Sequence, residues 1–213
     1  MKTETILNKL LKLKEMPYNT ELLDTIINEL KIDVFNENMG LKNRRNDPQK
    51  KALKFLNDNK KRFTNSRKCL GYACQTNING EEVQVFTDSY ITFILKTFYN
   101  LPLWDSEKEE SKYPRIESAL PNKSYGEVVQ FSFKELSAKL KAKLIEQKDF
   151  AKPIELKSDS YDCWFDADNL KKISDILGTT ELTVRLYGNL KPALIIDERN
   201  DNQAIISPIR KCW

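Results

Sequence analysis

The amino-acid sequence predicts an α+β fold, and three observations carry that prediction. Short runs rich in β-branched and aromatic residues, bounded by turn residues, recur from Leu70 to Ile206. Several other stretches place apolar residues at helical spacing. Strands outnumber helices in the order of the elements, which fits the α+β class. The 213 residues, 40% apolar, suffice for one large or two small domains with a buried core.

Taken in order, Ile6, Leu7, Leu10, Leu11 and Leu13 lie near helical spacing, and Thr20 precedes Leu22, Leu23, Ile26, Ile27 and Leu30 in the same way, so two amphipathic helices flank Pro17. Asp47 to Asn59 reads as a third helix. Leu70 to Thr76 and Val83 to Thr87 read as a hairpin across Asn79-Gly80. Tyr90 to Phe98 continues the sheet, and Trp104 to Lys112 reads as an acidic, exposed connection between two units. Glu127 to Phe131 is a strand, and Ser132 to Glu146 a helix with Leu136, Leu140 and Leu144 on one stripe. Ile154 to Leu156 and Tyr161 to Phe165 are strands, and Asp166 to Leu177 is a helix ended by Gly178. Leu182 to Tyr187, Ala193 to Ile196 and Ala204 to Ile206 complete the set. The expected organisation is a helical segment over 1–40, a basic helix plus sheet over 41–112, and a last unit over 113–213.

The composition excludes much chemistry. The chain has no histidine, which removes the usual general base, the Ser-His and Cys-His pairs and the commonest metal ligand. It has no phosphate-cradling lysine loop, no dinucleotide turn and no serine elbow. No catalytic residue, metal or cofactor is expected. Cys69, Cys74, Cys163 and Cys212 lack the spacing of a zinc site and are expected as reduced, packed thiols. The first residues alternate apolar side chains with Lys and Glu, unlike a signal peptide or spanning helix, so a cytoplasmic protein without membrane attachment is expected.

Positive charge is concentrated. Lys42, Arg44, Arg45, Lys50, Lys51, Lys54, Lys60, Lys61, Arg62, Arg67 and Lys68 face only Asp47 and Asp58 within that run, whereas the whole chain is at +4. Such a run either contacts nucleic-acid phosphates or forms a solvated helix face followed by a basic loop.

Five segments resemble the bacterial DNA-polymerase sliding clamp. Phe86-Thr87-Asp88-Ser89-Tyr90 is similar to the clamp's "ATDGHR" or "ATDSYR" segment, and Tyr113-Pro114-Arg115-Ile116-Glu117-Ser118-Ala119-Leu120-Pro121 to its "FPDYRRVLP" linker. Phe165 to Leu170 is similar to "FNxxYLxxxL", Leu190 to Ile196 to "PLxPALI", and Ala204 to Arg210 to "YVVMPMR". The resemblance implies a shortened clamp-like fold, the end of the middle domain plus the last domain. It also implies a hydrophobic cleft that takes a linear peptide of a polymerase or another clamp-binding protein. Carried over residue by residue, Thr87, Ser89, Tyr90 and Ile91 form one wall and Pro114 and Ser118 the linker side. Asn169, Leu190 and Pro192 form the floor, and Ile205, Ile206, Ser207, Pro208, Ile209 and Arg210 the other wall. Alternation along a strand would instead bury some of these isoleucines in a sheet core.

The chain departs from the pattern where the family has a tyrosine in the second helix and this chain has Asn169, and where the family has a basic residue and this chain has Ile91. Leu144 to Ser160 is also shorter than the corresponding stretch of the family. Encircling a duplex would take about six such domains, hence a homo-oligomer of this chain. The implied function is a non-enzymatic processivity or scaffold factor for DNA replication, of phage or mobile-element type, that also contacts DNA. Two alternatives are a clamp mimic that engages clamp-binding proteins away from DNA, and a nucleic-acid binder led by the basic run at 42–68.

Overall fold

A computed structural model describes residues 47–64, 67–105, 112–121, 125–132 and 153–210. The helices expected at 3–15 and 20–30 lie outside these residues, as does the helix expected after Ser132.

Helix α1, Pro48–Arg62, starts where the Asp47 carboxylate accepts the Gln49 N–H at 3.0 Å and Pro48 supplies a preset φ in the first turn. Lys60, Lys61 and Arg62 close it, favourably placed for the helix dipole. Ala52, Phe55, Leu56 and Asn59 are spaced to share one face, and that face is buried. A 3-10 turn at Lys68–Gly71 follows and displaces the start of the first strand from the expected Leu70. It packs close against α1: a Cβ on Gly71 would lie 2.3 Å from Cγ of Lys60.

Strands β1, Cys74–Ile78, and β2, Glu81–Thr87, form the expected hairpin. Asn79 and Gly80 both have positive φ, 54° and 86°, as a two-residue turn that follows strand twist requires. Strand β3 is Ile91–Leu95, shorter than the expected Tyr90 to Phe98. Beyond it the chain turns back, and Trp104 donates its backbone N–H to the Ala73 carbonyl at 2.8 Å. Trp104 is therefore not in an exposed connection. It is buried with Cys69 and Leu70, its ring 5.4 Å from that of Tyr72.

The last part contributes β4, Glu127–Ser132, β5, Pro153–Lys157, β6, Asp162–Asp166, helix α2, Ala167–Leu177, then β7, Glu181–Leu186, β8, Ala193–Asp197, and β9, Asn202–Ile206. Helix α2 has Asp166 as N-cap, its carboxylate accepting the Asn169 N–H at 3.0 Å, and Gly178 at φ 73° as its left-handed end.

Seven strands join into one antiparallel sheet in the order β1-β2-β3-β9-β8-β7-β4, and β5-β6 form a separate ribbon. The β3–β9 pairing joins strands from either side of the linker at 112–121. Alternation sorts side chains to two faces. Phe86, Phe93, Leu95, Ala204, Ile206, Ile195 and Val184 pack under both helices, with the Phe55, Phe86 and Phe93 rings 4.8 to 5.8 Å apart. On the opposite face Val83, Val85, Ile94, Leu194 and Ile205 cluster with Ile116 and Leu120 of the linker.

Candidate functional site

The turn between β2 and β3 is built by its own polar side chains. The Thr87 hydroxyl donates to the Ile91 carbonyl at 2.8 Å and accepts the Ser89 N–H at 3.1 Å. The Asp88 carboxylate accepts the N–H groups of Tyr90 and Ile91 at 2.9 and 2.8 Å. These bonds hold Ser89 at φ 76°, a conformation that costs a non-glycine residue energy, and they leave Tyr90 exposed at the tip. Asn59 ties α1 to the same turn, its Nδ2 donating to the carbonyls of Leu70 and Thr87 at 2.9 and 3.1 Å.

The C-terminal tail runs past this turn. Ile206 is the register partner of Ile91, after which Ser207 donates its N–H to the Tyr90 carbonyl at 2.9 Å and Ile209 donates to the Trp164 carbonyl of β6 at 2.8 Å. Ser207, Pro208 and Ile209 are half-buried and Arg210 is exposed. The Gly188–Lys191 turn sits beside the start of β6: the Asn189 side chain accepts the Asp162 N–H at 3.0 Å, and the Cys163 Sγ lies 3.3 Å from the Gly188 carbonyl. That turn presents Leu190 to solvent, 63% exposed, with Pro192 exposed beyond it.

The sequence-derived cleft set therefore divides. Ser89, Tyr90, Ser207, Pro208 and Ile209 lie at one end of β3 and β9, where Ser207 bonds to Tyr90 and Ile209 to Trp164 through the backbone. Leu190, Pro192 and the half-buried Asn169 lie on segments adjoining β6, and exposed Pro114 lies on the linker, where it lines a hollow of about 140 Å³ with Thr76, Val85 and Ile116. Ser118 stands in a 3-10 turn of the linker, Glu117–Ala119. Ile91 and Ile206, both 0% exposed, are core residues under the helices, Ile205 is buried on the opposite face, and Thr87 is spent on the turn. They support a wall and do not present side chains to a ligand. Trp164 was in neither sequence-derived set, and Arg62 was read with the basic run and not with the cleft. The alternation of buried Cys163 and Phe165 around half-buried Trp164 was the available signal for Trp164.

The basic run is also placed. Lys42, Arg44 and Arg45 lie outside the described residues. Lys50, Lys54, Lys61, Arg62, Arg67 and Lys68 are exposed. Lys51 pairs with Asp175 of α2 at 3.5 Å, and the Lys60 ammonium lies 4.2 Å from the centre of the Tyr72 ring. The Arg62 guanidinium reaches the rings of Phe63 and Tyr90 at 5.1 and 5.5 Å, so the end of the basic helix touches the exposed aromatic of the turn. Lys171 and Lys172 are exposed on α2, Lys171 paired with Asp175 at 2.6 Å, and Asp58 and Asp168 are exposed on the same two helices. Between the helices is a cavity of about 250 Å³ lined by Lys54, Asp58, Arg62, Asp88, Lys172 and Asp175, among others.

Among the described residues no group of three or more cysteines and carboxylates is placed to hold a metal, and no helix is long and apolar enough to cross a membrane. Cys69, Cys74 and Cys163 are free, and burial raises the pKa of each thiol, which disfavours the reactive thiolate.

A seven-stranded antiparallel sheet with two helices on one face and the linker on the other matches solved bacterial clamps. The Caulobacter crescentus beta sliding clamp superposes with a TM-score of 0.54 at 9% identity, covering 76% of this chain and 64% of that one. The fold is sliding-clamp-like. A Helicobacter pylori beta clamp bound to a DNA ligase peptide gives 0.55 at 12% identity over 76% of this chain and 63% of that one. A Bartonella birtlesii clamp, DNA polymerase III subunit beta, bound to griselimycin gives 0.56 at 12% identity over 76% and 64%. The clamp-like chain thus spans less than two thirds of the length of these clamps. No protein-family profile matches the sequence, and no curated protein does.

Proposed function

We propose that this chain is a non-enzymatic clamp-like factor of DNA replication that holds a linear peptide of a partner protein at the Tyr90–Ile209 end of its sheet and contacts DNA through its helix layer. In this reading residues 47–105 and 112–210 supply parts of two successive clamp units. The observation that carries the peptide half is the β3–β9 pairing, with the Tyr90–Ser207 hydrogen bond, which brings two chain-distant clamp-like segments side by side around an exposed aromatic. A tyrosine ring, a proline and a half-buried isoleucine suit the apolar side chains of an extended segment. The DNA half rests on the exposed cations of α1 and α2, the two helices packed on one face of the sheet.

The test is a fluorescence titration with a labelled DNA-ligase-type clamp-binding peptide and, separately, with a labelled duplex. Tyr90→Ala and Ile209→Asp are expected to weaken the peptide at least about tenfold and leave the duplex unaffected. Lys54→Glu with Lys61→Glu is expected to do the reverse and to flatten the salt dependence of duplex binding. A peptide that binds both cleft variants as well as the parent protein defeats the cleft assignment. A duplex affinity indifferent to charge reversal and salt favours the alternative of a clamp mimic working away from DNA.

A further inference from the structure

A second groove lies on the sheet face opposite the helices, at the ends of the strands remote from Tyr90 and Ile209. It encloses about 430 Å³, within the size range of ligand pockets. Its floor is apolar and comes from three neighbouring strands: Ile78 of β1, Val83 of β2 and Ile94 of β3, with Gln203 of β9 continuing the row. Leu120 and Pro121 of the linker form one wall. Four strands across correspond to roughly 14 Å, the length of about four extended residues.

The mouth is acidic. Glu81, Glu117 and Asp201 stand around it, with Lys96 as the one cation among the lining residues. Lys96 is committed to Glu81 at 2.8 Å and to Asp201, and those two carboxylates hold its pKa above the ordinary lysine value. Glu117 is exposed and has no cationic partner among the described residues. The surface is thus polarised, with exposed cations on the helix layer and uncompensated carboxylate at this groove.

We infer that this groove docks an extended protein segment in which a lysine or arginine is flanked by aliphatic side chains, the aliphatic groups packing against Leu120 and Pro121 above the Ile78, Val83 and Ile94 floor and the cation meeting Glu117. The floor side chains are at most 8% exposed, so the apolar contact comes mainly from the Leu120 and Pro121 wall, and the unpaired carboxylate at the rim selects sign. A segment of this length buries little area and pays ordering entropy, so the affinity is expected to be roughly 10 to 100 µM. The site is separate from the proposed cleft, and each can fail alone.

The probe is a fluorescein-labelled pentapeptide, Leu-Lys-Leu-Arg-Leu, followed by anisotropy and by amide shifts of the ¹⁵N-labelled full chain. Saturable binding is expected, with shifts clustered at Ile78, Val83, Ile94 and Gln203. Glu117→Lys, a change at an exposed side chain that spares the core, is expected to weaken binding about tenfold, and Glu117→Gln about threefold. The proposal is overturned if Ser-Lys-Ser-Arg-Ser binds equally well, which would mean charge alone, or if Leu-Glu-Leu-Glu-Leu does. Shifts confined to the α1–α2 layer or to Tyr90 and Ile209 overturn it as well, as does a Glu117→Lys variant that binds like the parent.

Discussion

At the scale of single residues, neighbours in one short segment do opposite work. Ile206 is wholly enclosed between β3, β8 and the helices, whereas Ile209, three residues on, is half-buried, with its N–H bonded to the Trp164 carbonyl. Ile206→Asp would strand a carboxylate in an apolar core, and a loss of about 4 kcal/mol or more is expected in a urea melt. Ile209→Asp is expected to cost less than about 1 kcal/mol while removing peptide capture. Equal destabilisation by the two would place Ile209 in the core and remove it from the cleft. The sequence motif around Ala204 to Arg210 marked this segment, yet the division of labour within it follows from strand register, which a linear pattern does not encode.

At the scale of elements, both described helices are legible in the sequence because their caps are local. Asp47 before Pro48, Asp166 three residues before Asn169, and Gly178 in the left-handed region each act within a turn of their own helix. The Asn79-Gly80 turn is legible for the same reason. The burial of Trp104 is not legible because it depends on a long-range bond to Ala73 that no local pattern announces, and β1 starts later than expected because a 3-10 turn occupies Lys68–Gly71. Asn59 shows the energetic weight of such ties. Asn59→Ala leaves the Leu70 and Thr87 carbonyls without their buried donor, and a loss of about 2 kcal/mol is expected by denaturant unfolding. Because Thr87 shapes the Tyr90 turn, the same variant is expected to loosen peptide binding. Full-strength capture in a destabilised Asn59→Ala protein would uncouple helix docking from the turn.

At the scale of the whole molecule, buried protonated groups set the response to alkali. Burial raises the pKa of the Cys69, Cys74 and Cys163 thiols and of the Tyr99 and Tyr113 hydroxyls. Tyr99 donates to the Ile176 carbonyl at 2.8 Å and Tyr113 to that of Tyr72 at 3.2 Å. Lys96 is also raised, through Asp201 and Glu81. A group whose folded pKa lies above its unfolded one stabilises the fold fully below the unfolded value and loses that contribution as pH climbs. Urea midpoints are therefore expected to hold through neutral pH and to fall from about pH 8.5 upward, with a steeper loss above about 10 as tyrosines and Lys96 join. Tyr99→Phe should shallow the upper part of that decline; an unchanged slope would mean that Tyr99 does not titrate on unfolding.

What the sequence by itself determined are the features that act over a few residues: the α+β class, the capped helices, the hairpin turn, the concentration of basic charge before Lys68, and the lack of histidine chemistry. The clamp-like segments were recognisable one by one. Only the tertiary structure decided that β3 pairs with β9, so that Tyr90, Ser207 and Ile209 meet, and that Arg62 reaches the ring of Tyr90. It also decided that the linker crosses the far face and leaves an acidic groove there. These depend on contacts between residues from about 20 to more than 100 positions apart, whose free energy comes from shared burial rather than from any local preference.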